Sequence, residues 1–448
     1  MTDQLMRKDS SQDLFRQLLS YIIPGIAGLI FNSLYIVVDG LFVARMLGRK
    51  PLAAVTVVEV LLALSMLVSV GAGVIISNCN GRGEHKEARR VFNIAVRLLA
   101  AMSAAVALGG LVFLEPLVRM LGATPDIMHL VTEYLSYFFR FSPAFVFSYA
   151  LAAWLRNDGQ PRLAMTSQII GAFSNVFLDW LFMGPFQLGI AGAAIATGLG
   201  PVFSILIMLP HFLKSKGNLY FEKVRIDLDV IGNVFKKGIP SFTMEFALGL
   251  TTLCVNVAIG FHMGSLHFAA YGIIGYIALM VLSVFLGMAA GSQPLISFYH
   301  GAGELGKAKQ ILTMSLKLAV WIGILSYMLL FLFPEIPVGV FADNDRELVR
   351  TATLAARWYF PALFVSGLNI LLSSYTQSVG HWKESMVISL SRSLILLVPL
   401  LIILPAFLGG IGIWLSAPTA EILTLPVGYL ALRKTQSILT EAKPAEMA

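Results

Sequence analysis

The sequence predicts an all-α integral membrane protein with twelve transmembrane helices in two pseudo-symmetric six-helix lobes. Three observations carry this expectation: the composition, the spacing of apolar runs, and an internal repeat. Hydrophobic residues make up 57% of the 448 and charged residues 13%, with a mean hydropathy of +0.80. A soluble domain carries roughly 25% charged residues, so too little charge is present to solvate a globular surface of this size. Disordered chains are charge-rich and apolar-poor, which excludes that class. Gly 39 and Pro 19 are scattered without period, which excludes a collagen-like chain. A spanning helix takes about 20 apolar residues, so twelve spans fill most of the chain and leave no room for a large soluble domain.

Taken in order, the apolar runs place spans at 18–47, 51–79, 91–114, 127–155, 162–184 and 188–213 in the first half. The second half has spans at 239–262, 267–299, 311–334, 348–378, 384–407 and 410–432. Runs such as Val91–Leu114 do not alternate, which argues against an outer-membrane barrel of short alternating strands. Residues 1–17 are polar, with no short apolar core leading to a small-residue cleavage site, so no cleavable signal peptide is expected. Cys79 and Cys254 lie in or beside apolar runs and give no disulfide framework.

Loop charge sets the orientation. Of the 32 Lys and Arg, 21 fall in the termini and loops on the N-terminal side and 6 on the other. By the positive-inside rule both termini are cytoplasmic, in a multi-pass protein of the cytoplasmic (inner) membrane. The formal charge of +7 then reflects loop asymmetry, and no nucleic-acid partner is expected.

The halves repeat. "YIIPG" at 21–25 matches "KGIPS" at 237–241, and "GRKPLAAV" at 48–55 matches "GSLHFAAY" at 264–271. "GAGVIISNCNGRGE" at 71–84 matches "GSQPLISFYHGAGE" at 291–304, and "GIAGAAIATG" at 189–198 matches "GIGIWLSAPT" at 410–419. Six spans per copy is an even number, so both copies enter the membrane in the same sense and are related by an axis along its normal. The expected division is an N-lobe at 1–213, a linker at 214–238 and a C-lobe at 239–448.

Ionisable groups within a span are costly and by default mark function. At 1.5 Å per residue, Asp39 lies about 12 Å from the outer end of the first span. Asp179 and Asn175 are about 8 and 14 Å from the outer end of the fifth. Thr197 on the sixth and Tyr134 on the fourth are about 14 and 12 Å deep. The i, i+4 spacing puts Asn175 and Asp179 on one helix face. Two close carboxylates in low dielectric raise one pKa and make a proton carrier. Alternatively, Asp39, Asn175, Asp179 and Thr197 offer hard oxygen donors to Na⁺. The bland alternative is packing through mutual hydrogen bonds. The repeat places Val255, Leu396, Leu400 and Pro418 at the matching positions of the second half, so the set serves one lobe only.

Four further groups are coupling or cavity candidates. Arg392 and Glu421 both fall near the midplane and are expected to pair, as a structural ion pair ahead of a coupling role. Glu245, five residues after Pro240, either lines the cavity or caps backbone broken by the proline. Glu59 either draws cations into the cavity or reaches the interface. Pro24, fifteen residues before Asp39, is a candidate hinge or a static kink. No P-loop, GxGxxG, HExxH or Cys/His metal spacing is present, and neither an enzyme nor a resident cofactor is expected.

Together, "NSLYIVVDGLFVARMLG" (32–48), "NGRGEHKEARR" (80–90), "LRNDGQPRLAM" (155–165), "NVFLDWLFM" (175–183) with "GIAGAAIAT" (189–197), and "GIPSFTMEF" (238–246) resemble the multidrug and toxic compound extrusion (MATE) family of the MOP superfamily. The resemblance implies a MATE-like fold of two lobes around a cavity. It also implies efflux of amphipathic, often cationic drugs by antiport with H⁺ or Na⁺. Nothing in the sequence demands more than a monomer, with membrane lipids as its surroundings. The cation site of one prokaryotic branch carries over to Asp39, Tyr134, Asn175, Asp179 and Thr197, with Tyr35 also matching. Glu245 departs from the C-lobe acidic site of other members and looks more like the "PSF-x-x-E" of a drug-exporter subgroup, as do Arg392 and Glu421. The alternative function is a flippase for lipid-linked oligosaccharides or other lipids, expected to need a cavity rich in Arg and Lys.

Overall fold

The computed structural model describes residues 11–47, 52–120, 128–342 and 345–441, the side chains of 38–60 and 440–441 excepted. All regular structure among them is helical. The first half holds α1 (Ser11–Leu47), α2 (Leu52–Gly81), α3 (His85–Val112), the short α4 (Leu114–Met120), α5 (Met128–Asn157), α6 (Pro161–Met183) and α7 (Gly189–Leu213). The second half holds α8 (Leu228–His262), α9 (Ser265–Gly301), α10 (Leu305–Leu332), the short α11 (Glu335–Phe341), α12 (Arg346–Tyr359) and α13 (Pro361–Ser378). It closes with α14 (Trp382–Leu390), a π-helical turn (Ser391–Ile395), α15 (Leu397–Leu408) and α16 (Gly410–Glu441).

Ten of these segments are long and apolar enough to cross a membrane, counting α14 to α15 as one. An eleventh is the pair α12 and α13, bent by 44°. The bend sits at Pro361, which lacks an N–H and so cannot continue the hydrogen-bond ladder of α12. The twelfth expected span, α6, is long enough at 23 residues but carries Ser167, Gln168, Asn175 and Asp179. Its polarity dilutes its hydropathy because it bears much of the candidate site.

Several helices start earlier than hydropathy implies. The span expected from 239 begins at Leu228, where the Asp227 carboxylate accepts the Asp229 and Val230 N–H groups at 2.9 and 3.4 Å. This is an N-cap, which satisfies two of the donors that a helix start leaves free. The helix expected from 18 begins at Ser11, and Leu14, Leu18, Tyr21 and Ile22 bury against α9, α10 and α13. It runs unbroken through Pro24.

The repeat has a structural counterpart. Gly83 and Gly303 follow α2 and α9 with φ of 78° and 75°, and Gly159 and Gly380 turn at 78° and 89°. Only glycine adopts that backbone at no steric cost. The two halves meet along α1–α9, α2–α8 and α2–α9. A Cβ on Gly81 would land on the Phe298 carbonyl, and one on Gly301 on the Asn78 carbonyl. Asn78/Gly81 and Phe298/Gly301 are the same positions of the two copies, so the contact is reciprocal about a pseudo-twofold axis. Gly25 against Gly287, and Gly71 against Val234, extend the same close seam.

Candidate functional site

The site is assembled by α6 against α7. Both helices present small residues where they touch: a Cβ on Gly171 would meet the Ser204 hydroxyl and the Gly200 carbonyl, and one on Gly200 would lie 3.2 Å from the Asn175 Cβ. Ser204 Oγ donates to the Ser167 carbonyl at 3.0 Å. These contacts fix an antiparallel register in which the turn carrying Thr197 lies across from the turn carrying Asp179. Both polar residues of the i, i+4 pair are sealed from solvent, Asp179 at 0% exposure and Asn175 at 1%. Thr197 is also buried, and its hydroxyl donates back to the Ala193 carbonyl at 2.8 Å.

One turn deeper is a small polar cavity of ≈ 20 Å³, room for about one water. Tyr35 and Asn32 line it from α1, Tyr149 from α5, Gln168 and Asn175 from α6, and Ser204 from α7. Asn32 Nδ2 donates to the Tyr149 hydroxyl at 2.5 Å. Among the described residues, both amide atoms of Asn175 and Oε1 of Gln168 have no hydrogen-bond partner. An orphaned buried amide costs about 1–3 kcal/mol, and a bound water or cation would satisfy it.

Of the sequence candidates, Tyr35 and Asn175 line this cavity together, while Asp179 and Thr197 are buried outward of it on α6 and α7. Tyr134 lies seven residues before Phe141, whose ring faces Gly198 of α7. The Tyr134 backbone is thus about 10 Å further along α5, toward the face away from the termini. Asp39 and Glu59 lie on helical backbone, but their side chains fall outside the described residues. Glu245 is partly buried on α8.

Arg392 and Glu421 meet, as their depths suggest. Arg392 Nε donates to Glu421 Oε1 at 3.0 Å, and its Nη2 also bonds that oxygen. Ser366 Oγ donates to Oε1 at 2.8 Å and Asn369 Nδ2 to Oε2 at 2.7 Å. Sequence reasoning misses the π-helical turn that begins one residue before Arg392, and it misses Ser366 and Asn369. It also misses a second buried pair, His211 Nε2 with Asp158 Oδ2 at 2.7 Å. Asp158 further accepts the Asn218 N–H at 2.9 Å and the Leu219 N–H at 3.4 Å. From its place in the "RNDGQP" turn it anchors the linker after α7.

Comparison with known proteins agrees with this architecture. The chain is 23% identical over 446 residues to the multidrug export protein MepA of Staphylococcus aureus (strain bovine RF122 / ET3-1), covering 98% of each chain. Its fold superposes on a crystal structure of a MATE protein in complex with MaL6 at a TM-score of 0.90, with 22% identity over 95% of this chain and 97% of that one. It also matches the structure of the MATE multidrug transporter DinF-BH at a TM-score of 0.86, with 27% identity over 95% and 96%. The MatE family model matches residues 24–181 and 240–403, one block in each half of the repeat. The chain is therefore a multi-pass membrane protein that belongs to the MatE family, a family of transporters and not of enzymes.

Proposed function

We propose that this protein is a multidrug exporter that moves amphipathic, often cationic compounds out of the cell by antiport with H⁺ or Na⁺. The observation that carries the proposal is the sealed Asn175–Asp179 face on α6, opposite Thr197 and beside a polar cavity, in the first half alone. A carboxylate there binds either a proton or, with the amide and hydroxyl oxygens, a hard cation. Asp39 on α1 is proposed as the second carboxylate, with Tyr35 and Tyr134 around it. The MepA and DinF-BH names support the drug class. We place the protein in the cytoplasmic membrane with both termini inside, its lobes at 1–213 and 239–448 joined by the linker at 214–238 and rocking about a site between them.

Cation binding would bend α1 near Pro24 and release drug outward. Return of the cation would accompany loading from the cytoplasm or inner leaflet. Glu59 and Glu245 are proposed to attract cationic drugs to the cavity. A flippase for pyrophosphate-linked lipids gains nothing from Arg392, whose charge is already met by Glu421.

The test uses inside-out vesicles under a pH or a Na⁺ gradient imposed separately. Ethidium accumulation driven by one gradient, and lost at least about tenfold in Asp179→Asn and Asp39→Asn, is expected. Wild-type efflux in both variants would refute the site, and no gradient-driven movement of cationic dye would refute the transport class.

A further inference from the structure

The segment joining α7 to α8 is strapped to α3. Arg89, Asn93 and Arg97 are spaced i, i+4, i+8 on one face of α3, and each holds linker backbone. Arg89 Nε donates to the Asn218 carbonyl at 3.2 Å, and its guanidinium lies 3.7 Å from the Tyr220 ring centroid. Asn93 donates to the Tyr220 carbonyl at 2.9 Å and accepts the Glu222 N–H at 2.9 Å. Arg97 donates to the Val224 carbonyl. Between α3 and this strap runs an open groove of ≈ 390 Å³, lined by Asn93, Val96, Arg97, Phe221, Glu222 and Lys223.

The charges around the groove do not balance. Glu222 is met by Arg89 at 3.4 Å and Asp227 by Arg90 at 2.5 Å, which leaves Asp229, exposed in the first turn of α8, as the one nearby carboxylate without an ion pair among the described residues. Arg97, Lys223 and Arg225 are exposed and have no carboxylate partner among the described residues. Apolar side chains are exposed in the same strap, Phe221 at 38%, Ile226 at 66% and Leu228 at 79%. Such exposure is unfavourable against water and expected against lipid.

Depth agrees. Arg97 stands fifteen residues, about 22 Å, from the far end of α3 at Val112, within a hydrocarbon core of about 30 Å. A guanidinium there reaches back toward the headgroups. The backbone carbonyl it meets uses only part of its five-donor fork.

We propose that this groove binds the headgroup of an anionic phospholipid, its phosphate between Arg97 and Lys223 with Arg225 alongside, and its acyl chains against Phe221 and Val96. The lipid then joins α3 to the strap that connects the two halves. Basic pockets at the membrane surface recognise anionic headgroups in this way.

The test is native mass spectrometry of the full-length protein released from micelles holding equal phosphatidylglycerol and phosphatidylcholine. Lys223→Gln with Arg225→Gln removes two charges and leaves every strap contact named above in place. Wild type should retain phosphatidylglycerol selectively, and the double variant should retain about tenfold less. Arg97→Gln should add to that loss. A control with Lys86→Gln, Lys309→Gln and Lys383→Gln, on the same face but away from the groove, should keep wild-type retention. Equal retention of the two lipids by wild type, unchanged retention in the double variant, or an equal loss in the control would each overturn the site.

Discussion

At the scale of the residue, Glu421 states its case most completely. Both oxygens are bonded, by Arg392, Ser366 and Asn369, in a side chain only 9% exposed. Removing one partner of such a pair strands the other charge, at a cost of about 3–5 kcal/mol. Glu421→Ala should therefore lower the thermal unfolding midpoint in detergent substantially. Arg392→Met in the same chain should recover most of the loss, since no charge is then left buried. If the double variant is no more stable than Glu421→Ala, the pair is not the source of the effect. The two charges are legible in the sequence because an ion in an apolar run is conspicuous. Asn369 is not, because nothing in its own span marks which of many small polar residues faces a carboxylate 52 positions away. Asn175 and Asp179 are legible together for the opposite reason: their relation is local, one turn on one helix.

At the scale of the element, hydropathy locates the spans and misses what interrupts them. The π-helical turn shifts the side-chain period by one residue, and in a stretch as uniformly apolar as "LILLVPLLIIL" no polar face exists to reveal the shift. The strap after α7 is equally hidden, since its composition is that of a basic loop. Its anchoring rests on Asp158, which accepts from His211 and from two backbone N–H groups. Asp158→Ala leaves those donors buried and unpaired, at about 1–3 kcal/mol, with the loss confined to the strap. Limited proteolysis should then cut between Lys214 and Arg225 at least about fivefold faster than in wild type, with α7 and α8 still protected. Unchanged cleavage would mean that Arg89, Asn93 and Arg97 suffice to hold the segment.

At the scale of the whole molecule, the duplication does more than double the helix count. It generates a seam in which Gly81 and Gly301 each lie against the carbonyl three residues before the other, Phe298 and Asn78. Both glycines end helices on the face that carries the termini, so this arrangement closes that face. The obstacle to a Cβ there is backbone, which cannot swing aside as a long side chain can. Overpacking of this kind costs about 1–3 kcal/mol, and the cost vanishes once the halves part. Gly301→Ala should therefore shift the population away from the closed seam by about tenfold, at 1.36 kcal/mol per factor of ten. Spin labels at Lys86 and Lys309, exposed positions on that face in opposite halves, should report a longer distance distribution than in wild type. A control substitution at Gly306, where a Cβ meets nothing, should leave the distribution unchanged. If Gly301→Ala also leaves it unchanged, the halves do not separate along this seam, and the axis about which they rock must lie elsewhere.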